Sequence, residues 1–261
     1  MLLAIDVGNS NIVFGTFEGD DLTASWRIAT EVGSTADEYA VLFQRLLAGH
    51  GVTPSDVHGA CMSSVVPNLT AALEEMVRSH FSVDPVVVSA DLETGLHLAV
   101  DDPHGVGADR LANALAASRL HPTPAIIVDF GTATTVDAVS SDGALLGGAI
   151  VPGLQTAADG LFRGAARLFA VELSAPASVV GRDTAASLQS GTVYGYVDLI
   201  EGLVERLNDE LGTKAWVIGT GGLAPVVAPH VRIIDVIDPD LTLQGLRLFH
   251  QLNAAPTAGS V

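Results

Sequence analysis

Two segments of this chain begin alike, and their likeness limits what it can fold into more than any other feature. Leu2 to Phe17 reads LLAIDVGNSNIVFGTF, and Ala125 to Ser140 reads AIIVDFGTATTVDAVS. Each is a short apolar strand ending in Asp-x-Gly, then small polar residues, then a second β-branched or apolar run. That is the pattern of strand, tight turn and strand, with a glycine free to let backbone amides approach a ligand. Asp6 and Asp129 stand close to half a chain apart in 261 residues. One such unit per half predicts two similar lobes, 1–120 and 121–261, facing a nucleotide cleft.

The rest of the chain alternates strands with helices, which indicates an α/β architecture. EYAVLFQRLLAGHG has helical spacing and a terminal Gly. GACMSSVVP reads as a strand, LTAALEEMVRSHF as a helix and DPVVVSA as a strand. ALLGGAIVPG reads as a strand pair with a turn. Near SGTVYGYVDLIEGLVERLNDELG a long helix carries Val193, Val197, Ile200, Val204, Leu207 and Leu211 at intervals of three or four. AWVIGTGG is a strand entering a Gly-rich turn. The tail AAPTAGSV reads as frayed. With 48% apolar and 16% charged residues the chain can fill a core. Its start reads as a first strand rather than a signal peptide, and no apolar run is long enough to span a bilayer, so a cytoplasmic location is expected.

Three places can carry chemistry. The first is Asp6-Val7-Gly8-Asn9-Ser10-Asn11, where an Asp at a strand end can hold a hydrated Mg²⁺ while amides and hydroxyls bind phosphate. One such turn is equally a plain hairpin, but its repetition at Asp129-Phe130-Gly131-Thr132-Ala133-Thr134-Thr135 argues for a ligand. The second is Asp102-Pro103-His104-Gly105-Val106-Gly107-Ala108-Asp109-Arg110, opening the helix LANALAAS. Gly107 allows close approach, Asp109 can accept a proton from a substrate hydroxyl, and Arg110 can bind an anionic group. The alternative there is a helix start with a dipole-favoured Asp and a solvated Arg. The third is Gly219-Thr220-Gly221-Gly222, which fits an adenosine pocket needing backbone close to a flat ring. His104 is loop decoration.

Charge and cysteine content narrow the partners. The net charge of −18 disfavours nucleic acid and also repels ATP, so an anionic ligand needs local donors. The single cysteine, Cys61, excludes an intrachain disulfide and a cysteine-pair zinc site, and its apolar run makes it a buried small hydrophobe.

An ordered series of segments resembles the type III pantothenate kinase family, of the actin-like ATPase and sugar-kinase superfamily. It runs IDVGNSN, VFGTF, WRIAT, TADEY, SSVVP, VGADR, VDFGTATT, GGAIVPG, VVGRDTAASLQSG, TGGLA and LTLQGLRL, over essentially the whole chain. The resemblance implies a duplicated actin-like (ribonuclease H-like) fold of two lobes, with mixed sheets flanked by helices. It implies ATP-dependent phosphorylation of pantothenate, the first step towards coenzyme A. ATP phosphates are then expected at Asp6, Val7, Gly8, Asn9, Ser10, Asn11, Ile12 and Val13, with Mg²⁺ through water at Asp6. ATP is also expected at Thr132, and a monovalent cation, K⁺ or NH₄⁺, at Asp129. Pantothenate is expected at Val100, Gly107, Ala108, Asp109, Arg110 and Thr184, with Asp109 as proton acceptor, in a homodimer. Several positions depart from the family pattern. Val100-Asp101-Asp102-Pro103 replaces Tyr-Asp-Asn-Pro, Gly105 replaces Glu, Asp183 replaces Asn, and an Arg is displaced to Arg163 with Gly164 in its place. A kinase of another polyol or sugar, and a silent nucleotide-binding regulator, are the other readings of the same fold.

Overall fold

The computed structural model describes residues 1–254, and the tail read as frayed lies, apart from Ala254, outside them. The described chain forms β1 (Leu2–Val7), β2 (Asn11–Glu18), β3 (Asp21–Ala29), α1 (Ala36–Ala48), β4 (Gly59–Ser64), α2 (Pro67–Phe81), β5 (Val86–Val87) and α3 (Ala108–Leu120). It continues through β6 (Ala125–Phe130), β7 (Ala133–Val139), β8 (Leu145–Pro152), α4 (Leu154–Gly164) and α5 (Thr184–Leu211). It ends with β9 (Trp216–Thr220), α6 (Ala224–Val227), β10 (Val236–Ile237) and α7 (Leu241–Asn253).

The strands make two five-stranded sheets with one topology. Their orders are β3-β2-β1-β4-β5 and β8-β7-β6-β9-β10. In each, three antiparallel strands form a meander, and the first of them then pairs in parallel with a strand reached through helix. The duplication read from the Asp-x-Gly repeat therefore extends to the order of every strand.

Two compact units result: Met1–Leu96, Asp101–Ala116 and the segment from Leu241 form one; His97–Val100 and Ala117–Asp240 form the other. The division differs from the sequence halves 1–120 and 121–261 chiefly because α7 packs on β1 and β4. Gly245 lets α7 also come close to α3. A Cβ there would stand 2.0 Å from the Ala112 carbonyl oxygen on α3, and Thr242 Oγ1 donates to Asn113 Oδ1 (2.7 Å) beside it.

Each unit has its own core. In the first, Leu3, Ile5, Phe14, Phe43 and Leu69 are fully buried, with Phe14 stacked between Trp26 and Phe43. Helix α1 starts at Thr35 through a reciprocal cap with Glu38, which satisfies end amides that have no partner within the helix. In the second, Val128, Phe130 and Val136 meet Val197, Ile200 and Val204 of α5. That helix begins at Thr184, well before the stretch read from periodicity, because the Asp183 side chain accepts from the Ala186 amide and caps it (2.8 Å).

One element reads differently from expectation. ALLGGAIVPG is not a strand pair: Leu145–Pro152 is one continuous strand. Its glycines form no turn. Gly147, at φ +106°, lies beside a register shift, and Gly148 lies so close to β7 that a Cβ would be 2.1 Å from the Val136 carbonyl oxygen. DPVVVSA likewise contributes only the two-residue strand Val86–Val87.

Candidate active site

In the first unit, Asp6 is the penultimate residue of the central strand β1. Its neighbour in register on β4 is Ser63, a fully buried residue whose hydroxyl donates to Asp6 Oδ1 (2.7 Å). The carboxylate is thus oriented from an adjacent strand. The turn Gly8-Asn9-Ser10 follows, closed by the Gly8 amide donating to the Asn11 carbonyl (3.0 Å). Asn9 and Ser10 are exposed at its tip, while Ile12 is buried in the core. Gly8 does not occupy the left-handed region; glycine is favoured there because a Cβ would crowd the Asn11 carbonyl oxygen at 3.0 Å.

The Gly107–Arg110 segment reaches the same strand ends. A Cβ on Gly107 would lie 3.8 Å from Val65 Cγ1, and the Val65 amide donates to the Val7 carbonyl (3.1 Å) at the close of β1. Asp109 occupies the first turn of α3, where the helix dipole favours its negative form. Its Oδ1 accepts from the Arg110 amide (2.8 Å) and lies where a Cβ on Gly107 would come within 2.5 Å. Any side chain at 107 would therefore displace this carboxylate. Behind it, Leu111 to Ala117 are buried all round, which makes the helix a rigid mount. His104 is largely exposed in the preceding loop, 3.7 Å from Asp91.

In the second unit, Asp129 holds the corresponding place on β6, paired with Thr135 of β7 on one side and Thr220 of β9 on the other. The connecting turn is Gly131-Thr132, and the Thr132 carbonyl accepts from the Gly153 amide (3.0 Å) and from Thr156 Oγ1 (2.7 Å) at the start of α4. Gly221, at φ +91°, lies beneath Asp129: a Cβ there would be 2.4 Å from Asp129 Oδ1 and 2.6 Å from the Phe130 nitrogen. The Gly-rich turn after β9 thus supports the second aspartate directly. Thr135 Oγ1 is buried without a hydrogen-bond partner among the described residues.

Val100 and Thr184 also belong to this second unit. Val100 Cγ1 is 3.7 Å from the Cβ position of Gly147, and Thr184 is exposed as the first residue of α5. Arg163 stands in the last turn of α4, at the opposite end from Thr132. Cys61 is fully buried, and burial pushes its thiol up to about 12, which removes it as a nucleophile near neutrality.

Sequence reasoning missed Ser63, Gly153 and Thr30, whose hydroxyl donates to the Gly8 carbonyl (2.7 Å). Neither Ser63 nor Thr30 belongs to an Asp-x-Gly or Gly-rich motif, and only strand pairing brings them to Asp6 and to the first turn. Gly153 carries a signal, a Pro-Gly pair after a strand, but its target at Thr132 depends on the return path of β8.

Known proteins similar to this chain converge. A sequence profile of the family described as Type III pantothenate kinase matches residues 2–206. A Roseiflexus sp. (strain RS-1) protein named Type III pantothenate kinase is 47% identical over 97% of this chain and 99% of its own. A Moorella thermoacetica protein of the same name is 46% identical over 97% and 100%. Among solved structures, a Campylobacter jejuni protein described as a Baf family transcriptional activator superposes with TM-score 0.62 at 20% identity, over 95% of this chain and 97% of its own. One from Sinorhizobium meliloti, described as a 2-dehydro-3-deoxygalactonokinase, has TM-score 0.60 at 13% identity, over 100% and 99%.

Proposed function

The chain belongs to the type III pantothenate kinase family, and from that premise we propose that it transfers the γ-phosphoryl group of ATP to the primary hydroxyl of pantothenate. The fold is the duplicated, two-lobed actin-like one, in keeping with solved kinases of similar architecture. A kinase of this family works with ATP and a divalent metal. The observation that carries the reading is the Asp109 carboxylate, mounted on a buried helix at the strand ends where Ser63 orients Asp6.

In the proposed reaction the pantothenate hydroxyl oxygen bonds to the γ-phosphorus, the bond to the β–γ bridging oxygen breaks, and ADP leaves with that electron pair. The hydroxyl proton passes to Asp109. Such transfers have a loose transition state, so a carboxylate of ordinary basicity suffices to orient the nucleophile and take its proton late. Arg110, adjacent on α3, binds an anionic or polar part of pantothenate, and Val100, Gly107, Ala108 and Thr184 complete its contacts. Residues Asp6 to Val13 and Thr132 hold ATP. The chain carries net charge −18, so backbone amides at the two turns supply attraction that the surface does not.

The donor sets suit the ions proposed. Around Asp6 the donors are hard oxygens, its carboxylate with the hydroxyl of Ser63, which fits an Mg²⁺ that keeps most of its waters and takes phosphate oxygens. Among the described residues there is no cluster of three or more His, Cys, Asp or Glu that could hold a metal unaided. At Asp129, the carboxylate and the unpartnered Thr135 hydroxyl in its cross-strand register suit K⁺ or NH₄⁺. Bound there, these ions offset charge on the phosphates. The enzyme is further proposed to be a cytoplasmic homodimer without nucleic-acid or membrane partners; no helix among the described residues is long and apolar enough to cross a membrane.

The test is a coupled ADP-release assay with pantothenate, with and without K⁺, beside a panel of sugars and polyols. Turnover on pantothenate above the panel is expected. Absence of pantothenate-dependent ADP release at every salt concentration refutes the assignment.

A further inference from the structure

Two carbonyl oxygens of the first turn are held by a residue outside it. Immediately after β3, Thr30 donates its hydroxyl to the Gly8 carbonyl (2.7 Å) and its amide to the Ser10 carbonyl (3.1 Å). The next residue is fixed in turn by a single phenol. The Glu31 amide donates to Tyr39 Oη (3.1 Å), and Tyr39 Oη donates to the Glu31 carbonyl (2.9 Å). Tyr39 is 1% exposed within the first unit's core. A continuous path therefore runs from packed core, through Tyr39 and Glu31, to Thr30 and the turn.

The path has a directional consequence. In a trans peptide the C=O and the following N–H point in opposite directions. Pinning the Gly8 carbonyl to Thr30 aims the Asn9 N–H away from Thr30, at the exposed tip of the turn. Donors aimed in advance bind an anion without the cost of ordering them afterwards. The second unit repeats the device at the equivalent place. After β8, its third strand, the Gly153 amide and Thr156 hydroxyl both donate to the Thr132 carbonyl. A threonine hydroxyl and a backbone amide from beyond the third strand thus pin each turn.

We propose that Thr30 is a positioning residue for ATP: through Gly8 and Ser10 it holds the first turn in its phosphate-binding shape, and Tyr39 holds Thr30. The proposal rests on the reading of Asp6–Val13 as the phosphate site. It deepens that reading by naming what preforms the site.

Thr30→Val keeps the side chain's shape and removes its donor. It should raise KM for ATP about threefold to tenfold, the size of one hydrogen bond, with KM for pantothenate within about twofold. Thr30→Ser should restore the ATP value, and Tyr39→Phe should shift it the same way by less. The control is Thr23→Val, which removes a comparable bond to the Thr16 carbonyl (2.9 Å) at the other end of the same hairpin. It should alter thermal stability without moving KM for ATP. Should Thr30→Val fail to fold, Tyr39→Phe carries the same prediction at its smaller size. An unchanged KM for ATP, an equal rise in both KM values, no rescue by serine, or the same effect from Thr23→Val overturns the proposal. Asp6→Asn separates the two levels: if it leaves ATP use untouched, the phosphate reading itself fails; if it impairs ATP use while Thr30→Val does not, only the role of Thr30 fails.

Discussion

The turn after β1 and the turn after β6 occupy one topological position and are built differently. The first connects its strands through Gly8, Asn9 and Ser10; the second uses only Gly131 and Thr132. Both aspartates sit centrally in their sheets, but Asp6 receives a hydroxyl from Ser63, whereas Asp129 lies over Gly221 and in register with Thr135, whose hydroxyl has no hydrogen-bond partner among the described residues. In both, a glycine is favoured by a carbonyl oxygen 3.0 Å from where its Cβ would be. The difference teaches that duplication preserved a backbone device while the side chains around each carboxylate diverged. Ser63 orients the first carboxylate from the adjacent strand, while a glycine turn underlies the second.

Substitutions in and around the two turns test this contrast. The largest effect is expected outside both turns, at Asp109→Asn. Turnover should fall about a hundredfold to ten-thousandfold while ATP binding by calorimetry persists, as for loss of a general base. If activity survives, another group takes the proton. Next come the aspartates themselves. Asp129→Asn should weaken K⁺ activation by about tenfold or more, a loss typical of disturbed metal ligation. Asp6→Asn should instead shift the Mg²⁺ dependence, and identical responses from both would erase the distinction drawn here.

Stability sharpens it further. Gly153→Ala places a Cβ 2.2 Å from the Gly131 carbonyl oxygen and 2.5 Å from that of Thr132, both backbone atoms. It should cost about 1–3 kcal/mol in urea unfolding, as overpacking does, and more than Gly8→Ala, whose Cβ meets its neighbour at 3.0 Å. The smallest effect concerns pH. His250 of α7 lies against Gly59, and burial holds its imidazole below the ordinary value of 6.5. The unfolded chain takes up that proton first. Stability should therefore decline as pH falls through 6.5 towards the folded-state value, then level off. His250→Gln should flatten that part of the profile.

Much of this was legible in the sequence because it is local. Asp-x-Gly followed by β-branched residues specifies strand, turn and strand, and Val193 to Val204 specify a helix by spacing alone. What escaped depended on register between distant segments. Ser63 faces Asp6 only because β4 pairs in parallel with β1. Thr30 meets Gly8 only because β3 returns along β2. The paired glycines 147 and 148 were misread as a turn because a bulge and a close strand approach demand the same residue. The closing helix α7 gave no hint in its own residues that it belongs with the first unit; Gly245 against Ala112 settles that only in three dimensions.

The central proposal is that the Asp6–Val13 turn binds the phosphates of ATP and that Asp109, at the same strand ends, takes the proton of the acceptor hydroxyl. A crystal structure with Mg²⁺, K⁺, pantothenate and a non-hydrolysable ATP analogue tests it most directly. The proposal predicts phosphate oxygens of the nucleotide on the Asp6–Val13 turn and the pantothenate hydroxyl within hydrogen-bond reach of Asp109. Phosphates away from that turn, or pantothenate away from Asp109, would contradict it.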